Sequence, residues 1–187
     1  MPRSGEHSRR RLQGAALELW SERGYDQTTT AEIAALAGVT PRTFFRHFPD
    51  KREVLFDSAD AMRRVLTEAL ATTPAGMAPM KALERAFIAL EPLFEHNRPY
   101  SGARRKVIAA TPALRERELT KTAALTAALA QALAARGVEA GRATLAAQAA
   151  TAAFGYAFTS WSEDATGRLE IHIARAFNEL NALASAR

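Results

Sequence analysis

A chain of 187 residues with 48% hydrophobic and 24% charged side chains is long enough to bury a core and too apolar to be disordered. The absence of cysteine excludes disulfides and thiolate metal sites, in keeping with a reducing cytosol. A net charge of +5, with nine basic against six acidic residues in 1–52, permits a polyanionic partner and places over half of the surplus in the shorter N-terminal part.

The opening MPRSGEHSRRR has no apolar signal run, and residues 1–7 read as a loose basic arm suited to backbone or minor-groove contact. Arg9-Arg10-Arg11 reads as a solvated charge run. From 8 to 23, Leu12, Ala15, Ala16, Leu19 and Trp20 follow the 3.6-residue period, and Gly24 ends the helix with Tyr25 folding back on it.

Residues 29–48, TTAEIAALAGVTPRTFFRHF, read as two short helices around a tight turn. Thr29 and Glu32 form a capping box, and Ile33, Ala34 and Ala37 share a face. Gly38 supplies a left-handed residue for the turn. Thr40 caps the second helix, Pro41 occupies its first position, Phe44 and Phe48 anchor it, and Pro49 closes it. Small residue, glycine turn and apolar anchor suit a helix-turn-helix. Its second helix offers Thr40, Arg42, Thr43, Phe45, Arg46 and His47 outward, groups that suit phosphates and base edges. The alternative is a plain helical hairpin with a solvated basic face.

Asp50 and Glu53 give a second capping box for a helix running to about 72, with Val54, Leu55, Ala59, Met62, Val65, Leu66 and Leu70 on its stripe. Its free N–H groups and Lys51 form a natural phosphate site. Thr73-Pro74-Ala75-Gly76 is a break in the boundary region. A helix over 77–96 follows, with Pro92 expected to kink or end it. Arg98-Pro99 is a turn, and helices are expected over 100–109, 113–136 with Gly137 as its stop, and 142–162. A last helix after Gly167 carries Leu169, Ile173, Phe177 and Leu180. No strand pattern occurs. The tract 143–161 is mostly alanine, interrupted by threonines and Gln148, which argues against a membrane span. The 142–162 helix is apolar almost all round, so it is either central in one bundle or shared with a second subunit. Ala146, Ala149, Ala150, Ala153 and Ala157 would permit close approach, and the last two helices would form a four-helix homodimer interface.

The run ALELWSERGYDQTTTAEIAALAGVTPRTFFRHFPDKREVL, 16–55, resembles the DNA-binding domain of the TetR family of bacterial regulators. The resemblance implies an all-α chain, with an N-terminal helix-turn-helix domain and basic arm over 1–52 and a helical ligand-binding and dimerisation domain over 53–187. It implies that Arg42 contacts bases, and that Thr30, Thr43, His47 and Lys51 contact phosphates, with Pro41 and Arg46 as further contacts. Phe45 stands where the family usually has tyrosine; it lacks the hydroxyl for a phosphate but can press on a thymine methyl. The run RKVIAATPALRER, 105–117, and the Ala/Leu helix after it are similar to a mycofactocin-type subgroup. That similarity implies a small-molecule inducer, with acyl-CoA as one ligand class.

The expected function is a dimeric regulator reading a palindromic double-stranded DNA operator, a repressor released by its ligand, in the cytoplasm. An activator or global DNA-binding factor is the alternative, and a helical small-molecule binder without DNA is the third reading. No catalytic grouping is present, since there is no H-E-x-x-H, G-x-S-x-G or P-loop, and His7, His47, His96 and His172 are scattered. No cofactor is expected and the chain is read as no enzyme. Glu84, Glu91 and Glu95 read as a solvated helix face. Phe87, Phe94, Tyr100, Phe154, Phe158 and Trp161 are candidate pocket residues, alternatively plain core aromatics. Arg104 and Arg105, in a run with Lys106, are candidates to hold an anionic ligand.

Overall fold

The computed structural model describes residues 3–95 and 97–185, with side chains from residue 5; His96 lies outside the described residues. Ten α-helices follow in order, with no strand among the described residues: α1 (Arg3–Arg23), α2 (Thr30–Leu36), α3 (Pro41–His47), α4 (Ala59–Ala71), α5 (Pro79–Ile88), α6 (Glu91–Glu95), α7 (Arg98–Ala110), α8 (Pro112–Ala135), α9 (Ala140–Glu163) and α10 (Leu169–Ser185).

Contacts divide the chain into two compact units: residues up to Ser58 with Pro99–Thr120, and Ala59–Arg98 with the chain from Lys121 onward. In the first unit, Leu12, Ala16 and Trp20 of α1 pack with Ile33 and Ala34 of α2 and with Phe44 and Phe48. Val54, Leu55 and Phe56 close that core from below, and Val107, Ile108 and Leu114, from α7 and α8, complete it. The unit is therefore not confined to 1–52, because three helices leave an apolar wall that the later chain covers. Phe44 is wholly buried, and truncating it to alanine removes about 3–5 kcal/mol.

The second unit is a bundle around Leu66, Leu70, Leu83, Phe87, Leu133, Trp161 and Phe177. Arg136 fixes the end of α4, donating to the carbonyls of Leu70 (2.7 Å), Thr73 (2.7 Å) and Pro74 (2.8 Å). The guanidinium fork thus holds the chain that leaves α4, adding to the backbone bonds that the Leu70 and Pro74 carbonyls already accept.

Several expected elements differ. The segment 3–7, read as a loose arm, is the first turn of α1, with Glu6 and Arg10 paired at 3.6 Å. The helix expected from 50 to 72 is broken: Arg52–Leu55 forms only a 3-10 turn, and α4 starts at Ala59. Val54, Leu55 and Phe56 are all buried in the core of the first unit, and the chain turns after them before α4 begins. The 77–96 helix ends at Ile88, and Pro92 sits in the first turn of α6, where its missing donor is harmless. Gly137 stops α8 with φ of 84°, as a left-handed residue should.

Helix α9 is not enclosed on every side within one protomer. Ala143, Ala147, Ala150, Ala153, Phe154, Ala157 and Trp161 face the bundle, while Leu145 and Tyr156 stand 68% and 66% exposed. Ala150, Ala153 and Ala157, read as residues of close subunit approach, are used by the protomer's own core. The carboxylates read as a solvated face also belong to the core: Glu84 and Glu91 are buried. Glu91 pairs with Arg168 at 2.6 Å, and Glu95 accepts from Trp161 Nε1 at 3.1 Å and from the Leu169 N–H at 3.2 Å. They cap the N-terminus of α10, which has no Ser, Thr or Asp of its own in the capping position.

Candidate nucleic-acid interface

The geometry of the two short helices follows from their caps. Thr29 accepts from the Glu32 N–H at 3.2 Å, and Glu32 accepts from the Thr29 N–H at 2.8 Å, a reciprocal capping box. The Thr29 backbone and hydroxyl hold the Glu32 carboxyl below its usual range. Gly38 adopts φ of 62°, and beside it Arg11 donates to the Ala37 carbonyl, the last of the α2 end. Thr40 then caps α3, accepting from the Thr43 N–H at 3.2 Å, with Pro41 at the first helical position.

Helix α3 buries Phe44, and Phe48 follows it into the core. Thr40, Pro41, Arg42, Phe45 and Arg46 are exposed, and Thr43 is half-buried beside Thr40, with hydroxyl oxygens 3.1 Å apart. The face is thus two hydroxyls, two guanidinium groups and one aromatic ring. Phe45 stands 54% exposed and is held edge-on against Phe44, with centroids 5.3 Å apart. Thr30, the first residue of α2, is half-buried.

Two expected contacts sit differently. The Nε2 atom of His47 is buried without a hydrogen-bond partner. Burial first, and then the charges of Arg46 and Arg9, hold its pKa below the ordinary histidine value. Lys51 donates inward, to the Tyr25 carbonyl at 2.8 Å and the Thr28 carbonyl at 3.0 Å. The N–H groups beside it, read as a free phosphate site, are already engaged: Asp50 accepts from the N–H of Arg52 (2.7 Å) and of Glu53 (3.1 Å).

The pocket candidates separate into two groups. Phe87, Phe94, Phe154, Phe158 and Trp161 form one aromatic cluster in the second unit. Phe87 stacks on Phe154 at 4.7 Å, Phe94 meets Phe158 edge-on at 5.2 Å, and Phe158 lies 5.6 Å from Trp161. Phe94 and Phe158 are only half-buried. Tyr100, Arg104 and Arg105 belong to the other unit. There Tyr100 lies against α1 at Gly14, where a Cβ would meet its ring at 3.9 Å. Arg104 donates to the Leu55 carbonyl at 3.0 Å, pairs with Glu118 at 3.5 Å and covers the Phe56 ring at 5.4 Å. It is a structural bond of the first unit, a role that its place in a basic run disguises. Arg105 is half-buried on the same helix.

Other residues carried no signal of their role. Arg9, from the same run as Arg11, pairs with Asp57 at 3.1 Å and lies over the Phe48 ring at 5.6 Å. Arg117 pairs with Glu53 and ties α8 to the 3-10 turn. The place of Arg11 one helical turn before Ala15, on the edge of the apolar stripe, was the one available hint.

Comparison with known proteins decides between helix-turn-helix and plain hairpin. Residues 14–57 match the family described as bacterial regulatory proteins, tetR family, and residues 77–184 match the MftR C-terminal domain. This chain belongs to the TetR family of bacterial regulatory proteins. It is 44% identical over 75 residues to the HTH-type transcriptional regulator TcmR of Streptomyces glaucescens, a stretch covering 40% of this chain and 33% of that protein. The match thus spans about a third of the length of that relative.

Solved TetR structures share the fold. A TetR-family regulator from Syntrophomonas wolfei superposes with a TM-score of 0.66 at 16% identity, covering 97% of this chain and 96% of that one. Thermus thermophilus FadR, a TetR-family repressor solved with lauroyl-CoA, gives 0.55 at 22% identity, with 96% of each chain covered. At these identities the likeness speaks for fold alone. Among the described residues no helix is long and apolar enough to cross a membrane, and no His, Asp and Glu group could hold a metal ion.

Proposed function

We propose that this TetR-family chain is a homodimeric repressor that reads a palindromic operator through α3 and leaves it when a small molecule fills the helical bundle. The observation that carries the reading is the outer face of α3. Thr40, Pro41, Arg42, Phe45 and Arg46 are exposed together on a helix whose other side is anchored by fully buried Phe44. Arg42, near the N-terminus of α3, is the base-reading residue, its fork matched to guanine. Thr30, Thr40, Thr43 and Arg46 serve phosphates, and Pro41 and Phe45 give apolar contact to thymine. His47 and Lys51 lie at the edge of this face, with inward atoms engaged or covered as described.

Dimerisation is assigned to α9 and α10. Leu145, Ala152 and Tyr156 on α9 are exposed at helical spacing, and Ile171 and Leu183 are further exposed apolar residues on α10. Such an apolar stripe suits a twofold interface. The ligand is assigned to the aromatic cluster, whose half-buried Phe94 and Phe158 suit an acyl chain. Support for an acyl-CoA comes from the lauroyl-CoA bound by the Thermus thermophilus protein, which shares the fold. The dimer would act in the cytoplasm, where the operator is.

The test is selection of bound duplexes from a random oligonucleotide pool, followed by a gel shift of the selected sequence with lauroyl-CoA titrated in. A palindromic consensus released by the acyl-CoA is the expected result. No enrichment over scrambled duplex would overturn the DNA reading. An operator indifferent to lauroyl-CoA would leave that reading standing and overturn the ligand assignment.

A further inference from the structure

Lys51 stands where family resemblance implies a phosphate contact, yet its ammonium points into the protein. An ammonium has three N–H donors. Two go to the carbonyls of Tyr25 (2.8 Å) and Thr28 (3.0 Å), and the Tyr25 ring lies 4.1 Å from the nitrogen. Both carbonyls lie in the turn between α1 and α2. That turn is set by Gly24, with φ of 85°, and by the buried Thr28, whose hydroxyl donates to the Gly24 carbonyl at 2.9 Å. Thr29, the cap of α2, and Thr30, its first residue, follow directly. On the other side Lys51 precedes the 3-10 turn Arg52–Leu55, which starts four residues after Phe48 closes α3. One side chain therefore ties the start of α2 to the chain leaving the reading helix.

We propose that Lys51 is a positioning residue: it fixes the α2 N-terminus, with Thr30, at a set distance from α3 so that both address the duplex together, and it does not contact a phosphate. The proposal rests on the DNA-binding reading given above. Turning the ammonium out to DNA would take its donor from the Thr28 carbonyl, leave the Tyr25 carbonyl with only the Thr28 N–H at 3.3 Å, both on buried residues, and uncover the Tyr25 ring. The burial of Tyr25 has a second trace: burial, with Asp50 adding to it, pushes its hydroxyl up to about 12. The ring is thus a neutral surface for the ammonium at any physiological pH.

The experiment uses the full-length protein and the operator selected with the unmodified chain. An unmodified chain without an operator would be a failure of the DNA-binding reading, visible before any variant is made. Lys51→Gln is then compared with it by fluorescence anisotropy over a range of salt, well below both melting temperatures, with hydrogen exchange on the free proteins. Positioning predicts operator binding weakened by about ten-fold, since two charge-assisted bonds set the geometry. It predicts faster exchange at the amides of 28–32, and a log K against log salt slope altered by less than about half a unit. A phosphate contact instead lowers the slope by about 0.9 and leaves exchange in the free protein unchanged. That result would overturn the proposal. So would faster exchange with unaltered affinity, which would make Lys51 a stabilising residue only.

Discussion

The turn between α2 and α3 can be tested by a cycle on Gly38 and Arg11. Gly38 sits at φ of 62°, and a Cβ added there would overlap the Arg11 guanidinium that donates to the Ala37 carbonyl. Gly38→Ala therefore does two things. It places a side chain in the left-handed region, at about 1–2 kcal/mol, and it expels Arg11 from its carbonyl. That bond is charged but reached from an exposed side chain, so its loss is about 1 kcal/mol, below the range for buried cases. The single variant should lose about 2–3 kcal/mol and Arg11→Ala about 1 kcal/mol. The double variant should lose no more than Gly38→Ala alone, because the bond can be removed only once. The coupling is then about 1 kcal/mol, read from urea unfolding followed by tryptophan emission, Trp20 reporting on this unit. Additive losses would refute the clash, and a costless Gly38→Ala would refute the turn itself.

Arg42→Ala should cost about 1–3 kcal/mol on the selected operator and relax base preference at one position of each half-site; equal loss on random duplex would remove Arg42 from base reading. Tyr156→Glu should convert dimer to monomer in sedimentation and abolish operator binding while leaving the helical signal intact, since the side chain is 66% exposed in the protomer. Asp164 accepts from the N–H groups of Thr166 and Gly167, and these bonds hold its carboxyl far below the ordinary value. A depressed folded pKa means stability present above the unfolded value of about 3.9 and lost as pH falls through it towards the folded value. The melting temperature of Asp164→Asn should therefore lie below that of the unmodified chain at pH 6, with the gap closing towards pH 3. A constant gap would show that geometry, and not charge, is what Asp164 contributes.

Local signals in the chain were read correctly where a short motif dictates its own geometry. Thr29 with Glu32, Gly38, and Thr40 with Pro41 each specify a cap or a turn within four residues, and each is found in place. What escaped reading depends on partners far along the chain. Arg104 and Arg117 look like solvated charges until α7 and α8 lie beside the 3-10 turn, 49 and 64 residues away. Glu91 and Glu95 look solvated until the N-terminus of α10 arrives with its unpaired N–H groups. The 50–72 helix failed for a related reason. Asp50 accepts from the N–H groups of Arg52 and Glu53, but the cap position falls at Lys51 without a side-chain cap bond, and Glu53 pairs with Arg117 from far along the chain. Periodicity names a face; it does not name what covers it.

The length of α3 connects this architecture to the need for two copies. Its seven residues rise about 10 Å along the axis, which matches about three base-pair steps of duplex. A site of three base pairs recurs by chance every few dozen positions, so one reading helix cannot define an operator. In the proposed dimer the missing specificity would come from a second copy held at a fixed distance, a distance set by the dimer and not by α3. An interface through α9 and α10 would set the spacing at which the two copies of α3 read. A ligand need not touch the DNA-binding face to release it. On the proposed reading, a change in the bundle that altered half-site spacing by a few ångströms would remove the second half of the contact, and linkage would require bound operator to weaken the ligand by the same factor.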